Sequence, residues 1–264
     1  MGSVAGWLQL LLLFVVPHVC RGSRFELFQF DDRAWPLFYG ANRAFCKQSA
    51  CCDSWNVTTS LGPEDATVPK IWAKVKAFRD RLQVTRSESL VWLDSDAFFL
   101  DAKWCPEFDD DAAMLITPDP VPWHRQVNTG FFVVKASDEG KRLFEDYWGL
   151  WRRKYARRWE GNDLSDPDAP CPHRRPLECH WGHRFASQQA FTADLLPHFR
   201  HVVRSLPKNT TNADLETCDG TIKHLAAERW REEPQYNTLS RCLTYWTPPK
   251  NLTKEEKEKA TLLL

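Results

Sequence analysis

The 264-residue chain has no surplus of charge of either sign: 35 Lys and Arg face 35 Asp and Glu. A nucleic-acid binder shows a basic excess or stripe, so the balance argues against that class. One basic cluster, Arg152, Arg153, Lys154, Arg157 and Arg158, is local and fits the C-terminal end of a helix, where positive charge suits the dipole. No internal repeat is found, which argues against a stacked array. The apolar run near the N-terminus, about Val4 to Val16, falls short of the roughly 20 residues that a membrane span requires. No Lys or Arg precedes it. With Pro17, Cys20 and Gly22 behind it, the segment 1–22 reads as a secretory signal or, alternatively, a short retained anchor. Both lead to the secretory lumen, and a membrane partner follows only from the anchor.

What is present agrees with that compartment. Of nine cysteines, Cys20 falls in the leader, and the even remainder favours disulfides in an oxidising lumen. Sequons stand at Asn56, Asn209 and Asn251. With 43% hydrophobic and 13% aromatic residues, the remainder suffices for one well-buried domain, residues 23–250, followed by a charged tail, 251–264. "RFELFQFDD" reads as a strand and "AWPLFYGANRAFCKQ" as a helix, followed by a turn-rich loop around Cys51 and Cys52. Ile71, Val75, Phe78 and Leu82 have helical spacing behind Pro69. "SLVWLD" and "GFFVVKAS" are continuous apolar runs, expected as parallel strands covered on both faces. Ser137 caps a long helix with Leu143, Phe144, Tyr147, Leu150, Trp151 and Tyr155 on its apolar stripe. Residues 160–183 form an irregular insertion. Its Cys171, His173, Cys179, His180 and His183 match no familiar zinc spacing, so a disulfide there is expected. "FASQQAFTADLLPHF" is a helix and "RHVVRSL" a short strand. Strands alternating with helices imply a single α/β domain with a mostly parallel sheet.

"LVWLDSDAFFL" carries the chemistry. Asp94 and Asp96 stand one residue apart where an apolar strand gives way to a loop, the end of a strand where α/β sheets bind ligands. Two carboxylates about 4 Å apart repel by roughly 4 kcal/mol at the effective dielectric of a protein surface, a cost that a divalent ion removes. Hard oxygen ligands suit Mn²⁺ or Mg²⁺, ions that complete their shells with phosphates.

"VWLDSDAFF", "VNTGFFVVKAS", "SQQAF" and "DGTIKHLAA", in that order, resemble the GT-A nucleotide-sugar glycosyltransferases, above all the family 34 galactosyl-, xylosyl- and mannosyltransferases. "NRAFCKQ" and "PKIWAKVKAFRDRL" look like that family's upstream segments. The resemblance spans residues 25–230. It implies a Rossmann-like GT-A fold and retaining transfer of a hexosyl or pentosyl group from a UDP- or GDP-sugar to a glycan or glycoprotein. By the same resemblance Asp94, Asp96 and His224 hold the metal, and Asp94 and Ser95 contact the nucleotide. Asn128, Thr129 and Gly130 lie beside the transferred sugar, and Gln188 lies near its anomeric carbon. Lys74 or Lys223 offsets charge on the leaving diphosphate. Two departures stand out: Ala227 replaces a glycine and Ser187 an acidic residue. Trp123, Trp181 and Trp246 occupy loop-like places where sugars stack. The departures motivate an alternative, a sugar-binding protein without catalysis. A haloacid-dehalogenase-like phosphatase also opens on an apolar strand and D-x-D, but the later G-D-x-x-x-D is missing here.

Overall fold

A computed structural model describes residues 22–30, 36–62, 65, 68–95, 97–118, 127–156, 187–207, 209–212 and 220–224. The elements are β1 (Phe25–Phe30), α1 (Pro36–Gln48), β2 (Cys52–Thr58), α2 (Lys70–Val84), β3 (Ser89–Leu93), β4 (Ala97–Phe99), β5 (Met114–Thr117), β6 (Asn128–Lys135) and α3 (Asp138–Leu150). A π-helical turn, Trp151–Tyr155, prolongs α3. The chain resumes with α4 (Ser187–Ala190), a second π-helical turn (Phe191–Leu195), α5 (Leu196–Phe199), β7 (Val203–Ser205), β8 (Thr211–Asn212) and β9 (Ile222–His224).

Six strands form a mixed sheet in the order β2-β1-β3-β6-β5-β7. The β1–β2, β1–β3 and β5–β7 pairs are parallel, and β6 runs antiparallel to both β3 and β5. The pleat sorts side chains between two cores. Phe28, Trp92, Ile116, Phe132 and Val134 face one side, against Trp72, Val75, Phe78 and Leu82 of α2 and Leu143, Phe144 and Tyr147 of α3. Leu27, Val91, Leu93, Leu115, Phe131 and Val133 face the other, where Phe45 of α1 and Phe99 of β4 close the layer. Those two rings stack with centroids 3.9 Å apart and planes 6° off parallel. Ser137 caps α3, accepting from Gly140 N at 3.3 Å.

Two expectations are corrected. The segment after α1 is the edge strand β2 rather than a loop. Its Asp53, Ser54 and Asn56 have low strand preference, and pairing with β1 overrides them. The run "GFFVVKAS" is a strand but antiparallel, because burial on both faces makes a run apolar whatever its direction. The leader, the insertion with its Cys and His residues, the three loop tryptophans and the tail lie outside the described residues.

Adjacent cysteines fasten the second layer. Cys46 at the end of α1 bridges Cys52, and Cys51 bridges Cys105 in the loop after β4. In the chain-entropy picture, a closure of 54 residues stabilises by about 4 kcal/mol and one of 6 residues by about 2 kcal/mol. Cys105→Ser is therefore expected to lower unfolding stability by about 3–4 kcal/mol in a denaturant titration. A loss below 1 kcal/mol would mean that the unfolded chain is already closed by other contacts.

Candidate active site

β3 ends at Leu93, and Asp94 and Ser95 lie in the turn that follows, where the sequence places the change from strand to loop. Asp94 O accepts from Ala97 N at 3.0 Å, closing the turn, and Asp94 N donates to Gly130 O on β6 at 2.8 Å. Ser95 is buried in this turn. Asp96 lies outside the described residues, but both its flanking anchors are defined. The chain then re-enters as β4, which pairs with β9 so that Ala97 lies opposite His224 and Phe98 opposite Lys223. Gly220, at φ 91°, takes the left-handed region that favours glycine just before β9. The register thus carries the backbone of His224, 127 positions on, alongside the residue that follows Asp96. The side chains of Lys223 and His224 are outside the described residues.

The Asp94 carboxylate is largely enclosed. Its Oδ1 accepts from Trp92 Nε1 at 2.8 Å and stands 3.6 Å from Lys74 Nζ, with side-chain exposures of 21% and 15% for the pair. Lys74, on α2, also contacts Thr129 O at 3.5 Å and Thr129 Oγ1 at 3.4 Å, and lies 5.9 Å from the centre of the Trp92 ring. The ammonium thus sits between a carboxylate, two oxygens and an aromatic face.

Asn128, Thr129 and Gly130 open β6. Because β6 is antiparallel, its beginning reaches the pole where β1 and β3 end. Asn128 Oδ1 accepts from Gly130 N at 2.7 Å, an Asx turn that fixes the triplet. Gln188 clamps the same triplet from α4. Its Oε1 accepts from Thr129 N and Thr129 Oγ1, both at 3.2 Å, and its Nε2 donates to Val127 O at 3.0 Å. The Gln188 amide therefore holds backbone in this structure. Tyr147 of α3 sets the start of α4 by donating to Ser187 O at 2.7 Å. Burial pushes the Tyr147 phenol far above its ordinary range; the Ser187 bond opposes that shift and the Asp94 charge adds to it. The phenol is a permanent donor at any physiological pH. Ser187 itself is buried.

A layer behind the turn was not evident from sequence. Gln29 of β1 and Asn42 of α1 are fully buried. Gln29 Oε1 accepts from Trp55 Nε1 at 2.9 Å and from Asn42 Nδ2 at 3.3 Å, and Gln29 Nε2 lies 3.5 Å from Asp94 O. Asn42 Nδ2 also donates to Ala97 O at 3.0 Å. Two amides thus grip the carbonyls on either side of Asp96. In "RFELFQF" the glutamine reads as the polar half of an alternating strand, and no local signal identifies Asn42.

Lys74, Asp94, Asn128, Thr129, Gly130 and Gln188 come together at one pole, and the β9 backbone reaches the same turn. Among the described residues no three His, Cys, Asp or Glu side chains gather as a metal site. The donor chemistry nevertheless fits a hard divalent ion: a carboxylate at a strand end beside a turn that carries a second one.

Gln29→Leu is expected to destabilise the fold by about 2 kcal/mol, because it leaves the Trp55 indole and an Asn42 proton without their buried acceptor. Urea unfolding measures this, and a change within 0.5 kcal/mol (about the error of such comparisons) would show that the amide pair does not hold the turn.

No protein-family model and no curated protein matches the chain. Similarity to solved structures exists at the level of fold. A glycosyltransferase involved in glycosylation of the major capsid of PBCV-1 aligns over 83% of this chain and 98% of its own, with a TM-score of 0.52 and 10% identity. The glycosyltransferase GlyE of Streptococcus pneumoniae TIGR4 aligns over 87% of this chain and 66% of its own, at a TM-score of 0.52 and 11% identity. At such identities the likeness is one of architecture. The chain has an α/β fold shared with these glycosyltransferases: a mixed six-stranded sheet flanked by helices, with a short second sheet beside it.

Proposed function

We propose that this protein is a glycosyltransferase that moves a hexosyl or pentosyl group from a nucleoside-diphosphate sugar, UDP- or GDP-linked, to a glycan or glycoprotein. The reading is carried by one observation: β9 pairs with β4 so that His224 stands opposite Ala97, beside the Asp94-Ser95-Asp96 turn. Two segments far apart in sequence are thereby joined in backbone register next to Asp94, at the end of the sheet where α/β folds take ligands. Asp94, Asp96 and His224 are the residues that would hold Mn²⁺ or Mg²⁺. The bound ion would supply positive charge against the leaving diphosphate.

The protein's own groups have separable tasks in this reading. Asp94 and the Ser95 backbone receive the nucleotide. Lys74 adds a preorganised positive charge beside Asp94, useful where negative charge develops. Asn128 and Thr129, fixed by the Asx turn and the Gln188 clamp, orient the sugar at the entrance to β6. Gln188 acts through that triplet, and contact with the anomeric carbon would require it to exchange a bond. Family 34 remains the kinship that the sequence motifs favour, with retention of configuration. The two closed disulfides support a lumenal site of action, by secretion or by a retained anchor. The buried Ser187, where the family carries an acid, favours a second reading, a sugar-binding protein that retains the cleft without turnover. The phosphatase alternative gains nothing from the fold.

Calorimetric binding of UDP and GDP, with and without Mn²⁺, tests the proposal, together with hydrolysis of a panel of nucleotide sugars. Mn²⁺-dependent binding is expected, weakened at least about tenfold by Asp96→Ala or His224→Ala, a loss of roughly 1.4 kcal/mol or more. Lys74→Met is expected to lower turnover about 10- to 100-fold while nucleotide binding persists. Binding without hydrolysis or transfer selects the sugar-binding reading. Absence of any Mn²⁺-dependent nucleotide binding sinks the transferase reading.

A further inference from the structure

Two of the three sequons lie in described structure, and their surroundings differ in kind. Asn56 sits on the edge strand β2, half-buried, with its amide nitrogen turned inward. Its Nδ2 donates to Glu26 Oε1 at 3.0 Å and lies 3.4 Å from Ser54 Oγ, so both of its protons are engaged. Glu26 is 2% exposed and takes the remainder of its bonds from Arg81 and Thr85: Arg81 Nε, Arg81 Nη2 at 2.9 Å and Thr85 Oγ1 at 2.9 Å. A carboxylate buried to that degree depends on its complete set of donors. A sugar on Asn56 Nδ2 would replace one of those protons and would have to leave through the cluster.

Asn209 is the opposite case. It lies exposed in the turn between β7 and β8, where Thr210 N donates to Pro207 O at 2.9 Å. Thr210 is buried, and its carbonyl receives Thr221 N and Ile222 N, so the backbone under Asn209 is fixed while the side chain points away from the core. Thr211, the third residue of the sequon, begins β8 level with Ile222, the end of β9 away from His224.

We propose that Asn209 is an N-glycosylation site and that Asn56 is a sequon reserved for structure. The ligand is an oligosaccharide delivered from a lipid diphosphate by the host's oligosaccharide transferase, so the inference rests on the lumenal reading above. In that transfer the anomeric C–O bond to the diphosphate breaks, its electron pair leaving with the diphosphate. A C–N bond forms to Asn209 Nδ2, and the amide nitrogen gives one proton to the transferase. The glycan then projects from the end of the small sheet remote from the Asp94 turn, and shields the β7–β8 turn without covering the cleft.

The test uses the full chain produced in mammalian secretory cells, with peptide mapping after glycosidase treatment in ¹⁸O-water. Asn209 is expected to convert to labelled aspartate and Asn56 to remain unlabelled. Asn209→Gln and, independently, Thr211→Ala are each expected to remove one glycan from the gel mobility, and Asn56→Gln none. A bare Asn209 in protein whose Cys51–Cys105 bridge is closed would overturn the glycan assignment and leave the lumenal reading intact. A glycan on Asn56 in folded, oxidised protein would overturn the structural role of that residue. Chain recovered with reduced cysteines and no glycan would overturn the lumenal placement and this proposal together.

Discussion

Two buried amides govern the geometry of the candidate site. The turn that follows β3 begins with Asp94, whose backbone is held on both its amide and its carbonyl side. Gln29 and Asn42 lie against the carbonyls of Asp94 and Ala97 from behind, while Gly130 holds the Asp94 amide from β6. Three elements of the fold, β1, α1 and β6, therefore meet on a handful of backbone atoms. Everything that the site presents outward depends on that inner grip, since a turn free to relax would separate the carboxylates from the strand that brings His224 alongside. Among the described residues, Asn42 Oδ1 is buried and finds no partner, the one discordant atom in the network.

The elements written in strong periodicity were legible from sequence. Apolar runs gave β3 and β6, and Ile71, Val75, Phe78 and Leu82 gave α2, because burial of a face is recorded residue by residue. β2 was hidden because an edge strand needs little apolar cover, and its Asp53 and Asn56 bond to neighbouring side chains. The direction of β6 was hidden for another reason. Orientation is a property of the connection, and a strand covered on both faces looks alike in either sense.

The site was legible in its outward chemistry and opaque in its support. Lys74, Asp94, Asn128, Thr129 and Gln188 lie together past the end of β3. Gln188 proves to bind backbone, a task that no spacing reveals. Trp92 reads as one more apolar strand residue, yet its indole donates to Asp94 Oδ1. Gln29 and Asn42 escape notice because a buried amide and a solvated one are the same letter; only the fold distinguishes them.

The paired bridges at Cys51 and Cys52 have a mechanical corollary. Helix α1 is bolted at Cys46, close to its C-terminal end, and Phe45 adds a second fastening against Phe99. A rod pinned at one end swings as a lever. At a rise of about 1.5 Å per residue, Asn42 lies roughly 6 Å from that pivot and Pro36 roughly 15 Å. Any sway of α1 is thus attenuated at Asn42 to about two-fifths of its amplitude at Pro36, by the same rise per residue. Asn42, close to that pivot, therefore passes only a reduced share of any such sway to the Ala97 carbonyl that it holds.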